Sequence, residues 1–323
     1  MELMTEINMQ DLPVTNISFT TFTLNGYHGL KEWRPILTIP YLLMFLLSVT
    51  ANSFLILLII SQRALHSPMF VLIGLMAAVD LFWPIFFVPH MLLNFLFDWN
   101  QISLSGCLIQ MFCIYIFGTF QSTVLLWMSL DRYFAICKPL SYHKYMQVSS
   151  FLKYVIVTVI RNVIFITLVV SLAGNRHYCM TNEIDHCFCE HMAVVQLACE
   201  DISINNLAGL LTTFLVPTTD FVLITVSYVI IFSSVLKSGR SHSKAVSTCV
   251  THIIIMTVSL GLALIAFLSY RTKNVFSPDM HTLISTMYIV IPSCCNPIIY
   301  GLRTKEIREQ LLKFIKHGIV LPH

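Results

Sequence analysis

Met128-Ser129-Leu130-Asp131-Arg132-Tyr133-Phe134-Ala135-Ile136-Cys137-Lys138-Pro139-Leu140-Ser141-Tyr142 closes a long apolar run with an acid and a base side by side. Ionisable groups near hydrocarbon are costly and persist mainly where they pair or work. Asp131 can hold the Arg132 guanidinium at rest, and a freed guanidinium can meet a partner. That is a two-state element of the kind a switch needs. The plain structural alternative is an arginine snorkelling from a helix end. The run from Ala135 to Tyr142 after the pair favours the switch.

The rest of the chain is built for lipid. Of its 323 residues, 56% are hydrophobic and 11% charged, with a mean hydropathy of +0.77. A soluble domain carries roughly 25% charged residues, so polar surface here is too scarce to cover a globule in water. A spanning helix takes about 20 mostly apolar residues. Seven segments meet that, at 36–61, 69–96, 104–137, 149–172, 202–236, 247–270 and 280–301. Each contains Pro, Gly or polar residues, which suits a bundle with a polar interior. The expected fold is an all-α integral membrane protein, a seven-transmembrane helix bundle over 36–301 with a short amphipathic C-terminal helix. A tail, 1–35, precedes it and a helix with its own tail, 302–323, follows. The tail is polar and acidic (Glu2, Glu6, Asp11), without the basic start and apolar core of a signal peptide.

Charge sets the expected orientation. Arg63, Lys138, Lys144, Lys153, Lys237, Arg240 and Lys244 lie between spans on one side, joined by the basic residues after span seven. Most acids of the connecting segments, including Glu183, Asp185, Glu200 and Asp279, fall on the other. By the positive-inside rule the N-terminus is outside and the C-terminus cytoplasmic. The net charge of +3 averages this asymmetry and points to no nucleic-acid partner. Of ten cysteines, Cys107, Cys179, Cys187, Cys189 and Cys199 fall on the outer side, where disulfides persist. Four of them sit in one long loop, 174–203, which is therefore expected to be stapled. Counting does not settle the pairing. Asn16-Ile17-Ser18 is a glycosylation acceptor sequence in the leading tail. Ile307, Leu311, Phe314 and Ile315 recur at helical spacing among charges, as in a helix lying on the inner membrane surface.

Several stretches in order carry a resemblance. They are the Asp131-Arg132-Tyr133 run, Pro68-Met69-Phe70 with Asp80, Ser227-Tyr228, Ser247-Thr248-Cys249-Val250-Thr251-His252, and Pro292 to Tyr300 with Asn296-Pro297. Together they resemble the odorant receptors among the rhodopsin-like G-protein-coupled receptors. Cys189-Glu190-His191-Met192-Ala193, Ala198-Cys199 and Asp220 resemble the class I, or fish-like, branch. The resemblance implies a plasma-membrane receptor that is not an enzyme and carries no cofactor. It implies a small-molecule odorant, a heterotrimeric G protein of the stimulatory, olfactory type, and a rise in cyclic AMP. It assigns coupling to Asp131, Arg132, Tyr133, Tyr228, Asn296, Pro297 and Tyr300. It pairs Cys107 with Cys189 and Cys179 with Cys199, leaving Cys187 odd. Asn52 and Asp80 join Asn296 and Tyr300 as a polar core, since polar groups in spanning helices face inward and find partners. Asp80 could hold Na⁺, but the second carboxylate usual in span three is here Gln121, and a buried Asp80 could instead be protonated.

The resemblance also places a ligand between the outer halves of spans three, five, six and seven. The inward candidates are Ile114, Tyr115, Gly118, Thr119 and Ser122, then Asn206, Gly209, Leu210 and Thr213, then Leu264, Phe267 and Leu268, then Thr286 and Ile289. Such a set is apolar with a few hydroxyls, as small-molecule sites are, although each side chain alone is ordinary packing. Arg271, ending span six, could grip a carboxylate in a two-pronged bond and favours acidic ligands, or could serve as a rim charge paired with Asp279 or Glu190. His186, Cys187, Cys189, Glu190 and His191 have the look of soft-metal ligands, but disulfides consume thiols and no metal site is expected.

Two departures stand out. The aromatic pair usual in the middle of span six is replaced by Ser259-Leu260, and Arg161 in span four is an intramembrane charge that needs a polar partner from span three or five. An amine receptor would need an acid where Ile114 stands. A transporter would show repeats or intramembrane charge chains. An intramembrane enzyme would need paired acids, a metal cluster or a nucleophile with its base, and none is visible in the sequence.

Overall fold

The computed structural model describes residues 18–238, 243–269 and 276–317. Strand β1 (Thr21–Leu24) and a 3₁₀ segment lead into helix α1 (Arg34–Ser61), which has Pro35 in its first turn and Pro40 within it. A proline near the start of a helix forfeits an amide that would be unpaired anyway. The second apolar segment is broken. Helix α2 (Pro68–Phe82) gives way to a 3₁₀ turn at Pro84–Phe86, and α3 (Val88–Phe97) completes the crossing. Pro84 has no amide hydrogen, and its ring crowds the preceding turn. Strand β2 (Gln101–Ser103) precedes α4 (Leu104–Cys137), whose first turn is capped by the Ser103 hydroxyl accepting from the Gly106 amide at 3.1 Å. α4 stops just before Pro139, as helices do one residue ahead of a proline.

Short α5 (Pro139–Met146) joins α4 to α6 (Val148–Gly174). The long loop that follows holds β3 (Glu183–Ile184) and α7 (His191–Val195). The fifth crossing runs through α8 (Ser203–Thr213), a π-helical turn at Phe214–Thr218 containing Pro217, and α9 (Thr219–Ser238). Helices α10 (Ser243–Ser269), α11 (Pro278–Arg303) and α12 (Lys305–His317) complete the chain.

Six of the helical crossings among the described residues are long and apolar enough to span a membrane, and α10 adds a shorter apolar stretch, Ile253–Ala266. The fourth crossing turns Val157, Ile160 and Ile164 outward, each at least half exposed. Apolar surface of that extent facing out belongs against lipid. Inside, Ile73, Met76, Val124 and Met128 pack with Ile231 and Tyr300 at the Arg132 end of the bundle. Phe87, Met91, Ile114 and Ile289 pack at the opposite, loop end.

The leading tail is more than a tail. β1 is the middle strand of a three-stranded sheet, antiparallel to β2 (Phe22 opposite Ile102) and parallel to β3 (Leu24 opposite Ile184). Phe22 and Leu24 are fully buried while Thr21 is exposed, the alternation of a half-buried strand. Tyr27, at φ 57°, then reaches Tyr41 of α1, and Tyr41 Oη lies 2.7 Å from Thr286 Oγ1 of α11. Gly26 permits this course, since a Cβ there would stand 2.7 Å from the Cys187 backbone nitrogen.

Candidate functional site

At one end of α4, Arg132 donates from Nε and Nη2 to Asp131 Oδ2 at 3.0 and 2.5 Å. The Tyr142 hydroxyl, on α5, donates to Asp131 Oδ1 at 2.8 Å. Asp131 is fully buried, so both its oxygens are committed to this latch. Partial burial and the hydrogen bond to Asp131 push the Tyr142 phenol up to about 12, which keeps it a donor throughout the physiological range. Tyr133 packs edge-on to Phe134, and Tyr228 and Tyr300 are both buried in the core above the latch.

The polar core gathers about three turns further up α4, at the level of Gln121. Asn52 donates to the backbone oxygens of Ser48 and Ser293, at 2.9 and 2.8 Å, tying spans one and seven. Asp80 Oδ1 accepts from Gln121 at 2.8 Å and Oδ2 from Asn296 at 2.7 Å, with Pro297 next in the helix. Asn52 reaches span seven through backbone rather than through Asp80. Tyr300 instead directs its hydroxyl to Met128 Sδ at 3.6 Å. Both Asp80 oxygens thus face amide N–H donors, and donors of that kind occupy the positions a cation would need. The residues do not fit a Na⁺ site.

Arg161 finds its partner in span five. It donates to Asp220 Oδ1 at 2.6 Å and Oδ2 at 3.0 Å, and its Nη2 reaches Thr123 Oγ1 at 3.1 Å. Ser122 and Thr123 donate to the same Asp220 oxygen, at 2.9 and 3.1 Å. Asn162 accepts from Arg161 and donates to Thr123. Asp220 is fully buried, and the two-pronged guanidinium satisfies it where water is excluded. The π turn just before Asp220 inserts an extra residue and re-aims the helix there.

Between this network and the long loop lies a cavity of about 220 Å³. Tyr115, Gly118, Thr119 and Ser122 line it from α4, and Gly209 and Thr213 from α8, as expected from sequence. Other candidates sit elsewhere. Leu264 is 40% exposed on the outward face of α10, and Leu260 and Ala263 line the cavity in its place. Thr286 is committed to Tyr41, and Ser285 and Tyr288 line instead. Ile114 and Ile289 belong to the packed layer beside the cavity, and neither Asn206 nor Leu210 reaches its wall. In each case a helix turned by one residue, about 100°, moves a side chain off the wall. Arg271 and Asn16 lie outside the described residues, as do the side chains of Ser247, Thr248, Cys249, Thr251, His252, Phe267 and Leu268.

The loop supplies a roof whose lining residues sequence reasoning did not assign. Phe188, Glu190, His191 and Met192 line the cavity from above. Cys107 is bonded to Cys189, fixing that roof to the start of α4, and Cys179 is bonded to Cys199. Glu190 caps α7 by accepting from the Ala193 amide at 2.8 Å and accepts from the Tyr115 hydroxyl at 3.1 Å. Cys187 is a buried free thiol that burial pushes up, and burial pushes His186 down to about 3, so both stay uncharged near neutral pH. No group of three or more potential metal ligands occurs among the described residues. Span two and span four also contribute, through Trp83 and through Ile166 and Val169. The signal for Trp83 was its place at the Pro84 break.

Comparison with known proteins agrees with this architecture. Residues 41–317 match the family model described as "Olfactory receptor". Olfactory receptor 52K2 of Homo sapiens is 38% identical over 295 residues, covering 91% of this chain and 94% of that protein. Olfactory receptor 52K1 of Homo sapiens is 36% identical over 305 residues, 94% of this chain and 97% of that protein. Olfactory receptor 56B34 of Mus musculus is 35% identical over 297 residues, 91% of this chain and 92% of that protein. With its membrane-length helices and loop-roofed cavity, this chain belongs to the olfactory receptor family and is a multi-pass membrane receptor of the odorant-sensing, G-protein-coupled kind.

Proposed function

We propose that the chain sits in the plasma membrane with its N-terminus outside, and that a small polar odorant occupies the cavity beneath Phe188 and Glu190. Occupancy shifts α4 and its neighbours, Arg132 leaves Asp131, and a stimulatory, olfactory-type G protein docks on the exposed cytoplasmic face and raises cyclic AMP. The observation that carries this reading is the placement of cavity and latch on one helix: Tyr115, Thr119 and Ser122 line the cavity, and Asp131-Arg132 closes the same α4 roughly two and a half to five turns on. At about 220 Å³ the cavity is below the roughly 300–1,000 Å³ of drug-sized sites, which suits a small volatile molecule.

The expectation of a carboxylate ligand rests on Arg271, outside the described residues. The described wall carries Glu190 and no Lys or Arg, so the ligand proposed is polar rather than acidic. An amine reading gains nothing from Ile114, which is buried in packing.

The test is a cyclic-AMP reporter in cells carrying the stimulatory G protein, challenged with a broad odorant panel. Agonists should appear, and Arg132→Ala should abolish signalling while agonist binding stays within about threefold. A surface-expressed receptor that answers no panel member, or an Arg132→Ala variant that still signals, removes this reading.

A further inference from the structure

Among the described residues, Trp83 Nε1, Thr212 Oγ1 and Ser259 Oγ are buried polar atoms on the cavity wall without a hydrogen-bond partner. They come from three different crossings, the second, fifth and sixth. Hydroxyls in these helices ordinarily quench themselves on the backbone one turn back. Thr119 donates to Ile116 O, Ser122 to Thr119 O and Thr213 to Gly209 O, at 2.9, 3.0 and 2.9 Å. Thr212 and Ser259 do not, although the same carbonyls lie within a turn. A buried polar atom left unpaired costs about 1–3 kcal/mol. Three such atoms on one wall mark a surface shaped for something that pairs with them.

The chemistry of the three groups narrows the occupant. An indole N–H only donates, while a hydroxyl can donate as well as accept. A ligand that serves all three must therefore present an acceptor atom, most simply an oxygen. A full negative charge is disfavoured by the described wall, where Glu190 is the only charged residue besides the titratable His191 and no described Lys or Arg stands. A large part of the wall, including Leu125, Ile166, Val169, Ile224 and Met256, is hydrocarbon or thioether and matches an alkyl chain.

We infer that the cavity selects neutral molecules bearing a carbonyl oxygen, namely ketones and esters with short alkyl chains, and that Ser259, with Thr212 and Trp83, reads that oxygen. The inference rests on the proposed odorant site and names its ligand class. It also gives span six a handle. Ser259 stands where an aromatic pair was expected, and a ligand bonded to it pulls on α10 directly.

The experiment uses the full chain and a matched trio: 2-heptanone, 2-methyl-1-heptene, which has the same shape without the oxygen, and hexanoate, together with their shorter and longer homologues and the corresponding esters. Binding is read as thermal stabilisation of the purified receptor, and signalling as cyclic AMP in cells. Ketones or esters should stabilise the receptor, alkenes at least tenfold more weakly and carboxylates least. Ser259→Ala and Thr212→Val should each weaken ketone binding about three- to tenfold while leaving alkene binding unchanged. Ser259→Thr, which keeps the hydroxyl, should retain most of it, and Trp83→Phe should repeat the oxygen-selective loss. Carboxylates binding best, ketone and alkene weakened equally by Ser259→Ala, or no stabilisation by any ketone or ester would each overturn the inference. Oxygen-selective stabilisation without cyclic AMP would support it and remove the signalling proposal alone.

Discussion

Arg161 and Asp220 show how a single residue type dictates a partner. An arginine in the middle of an apolar helix needs a carboxylate, but its own helix offers none in reach; the acid comes from span five, 59 residues away. Removing one member of such a buried pair leaves the other uncompensated at about 3–5 kcal/mol. Arg161→Met should therefore lower the thermal midpoint of the purified receptor sharply and deplete it from the cell surface. Arg161→Met combined with Asp220→Leu should recover most of both, since hydrocarbon replaces the pair. A double variant no better than the single would show that the charges do more than satisfy each other. Asp80 illustrates the opposite case, where two amides fill the coordination a second carboxylate would have offered to a cation.

Among the elements, the fifth crossing carries the least regular geometry. Its π turn, Phe214–Thr218, holds one residue more than an α-helix would, and Pro217 supplies no amide to the ladder. The extra residue sets the rotation that brings Asp220 to Arg161 while Thr213 faces the cavity. Deleting Leu215 should convert the turn to α-helix with both flanks in place, and the receptor should still reach the surface with a thermal midpoint within a few degrees. Deleting Val222, inside regular α9, rotates everything after it by about 100° and should abolish surface expression. Equal effects of the two deletions would refute the role given to the π turn. β1 is a second element with a role beyond its length. Its four residues join the first half of the long loop to the start of α4, through hydrogen bonds that a polar tail would give to water.

For the whole molecule, the roof over the cavity depends on covalent links as well as packing. Cys107–Cys189 joins points 82 residues apart, and removing a native bridge of that kind costs about 2–5 kcal/mol. Cys107→Ala should remove most surface receptor and with it all odorant response. Cys187→Ala, the odd buried thiol, should leave surface expression nearly intact, because no bridge is lost. A reversed order, measured by surface labelling, would assign the bridge to Cys187.

The sequence by itself determined the helical crossings, the acid–base latch and the family. Each is a local signal: about 20 apolar residues in a row, an Asp-Arg pair at the end of one, short motifs in a fixed order. Of its α4 and α8 candidates, Tyr115, Gly118, Thr119, Ser122, Gly209 and Thr213 line the cavity while Ile114, Asn206 and Leu210 do not, because an inward helix face is broader than the wall of one cavity. Tertiary structure decided what depends on rotation and on distance along the chain. Leu264 and Thr286 left the wall because neighbouring helices set their facing, and Arg161 acquired Asp220 only when spans four and five met. The strand at Thr21–Leu24 is too short to announce itself, and its partners lie about 80 and 160 residues on. The unpaired Trp83, Thr212 and Ser259 could be recognised only in three dimensions, since no sequence states which polar atoms go unbonded.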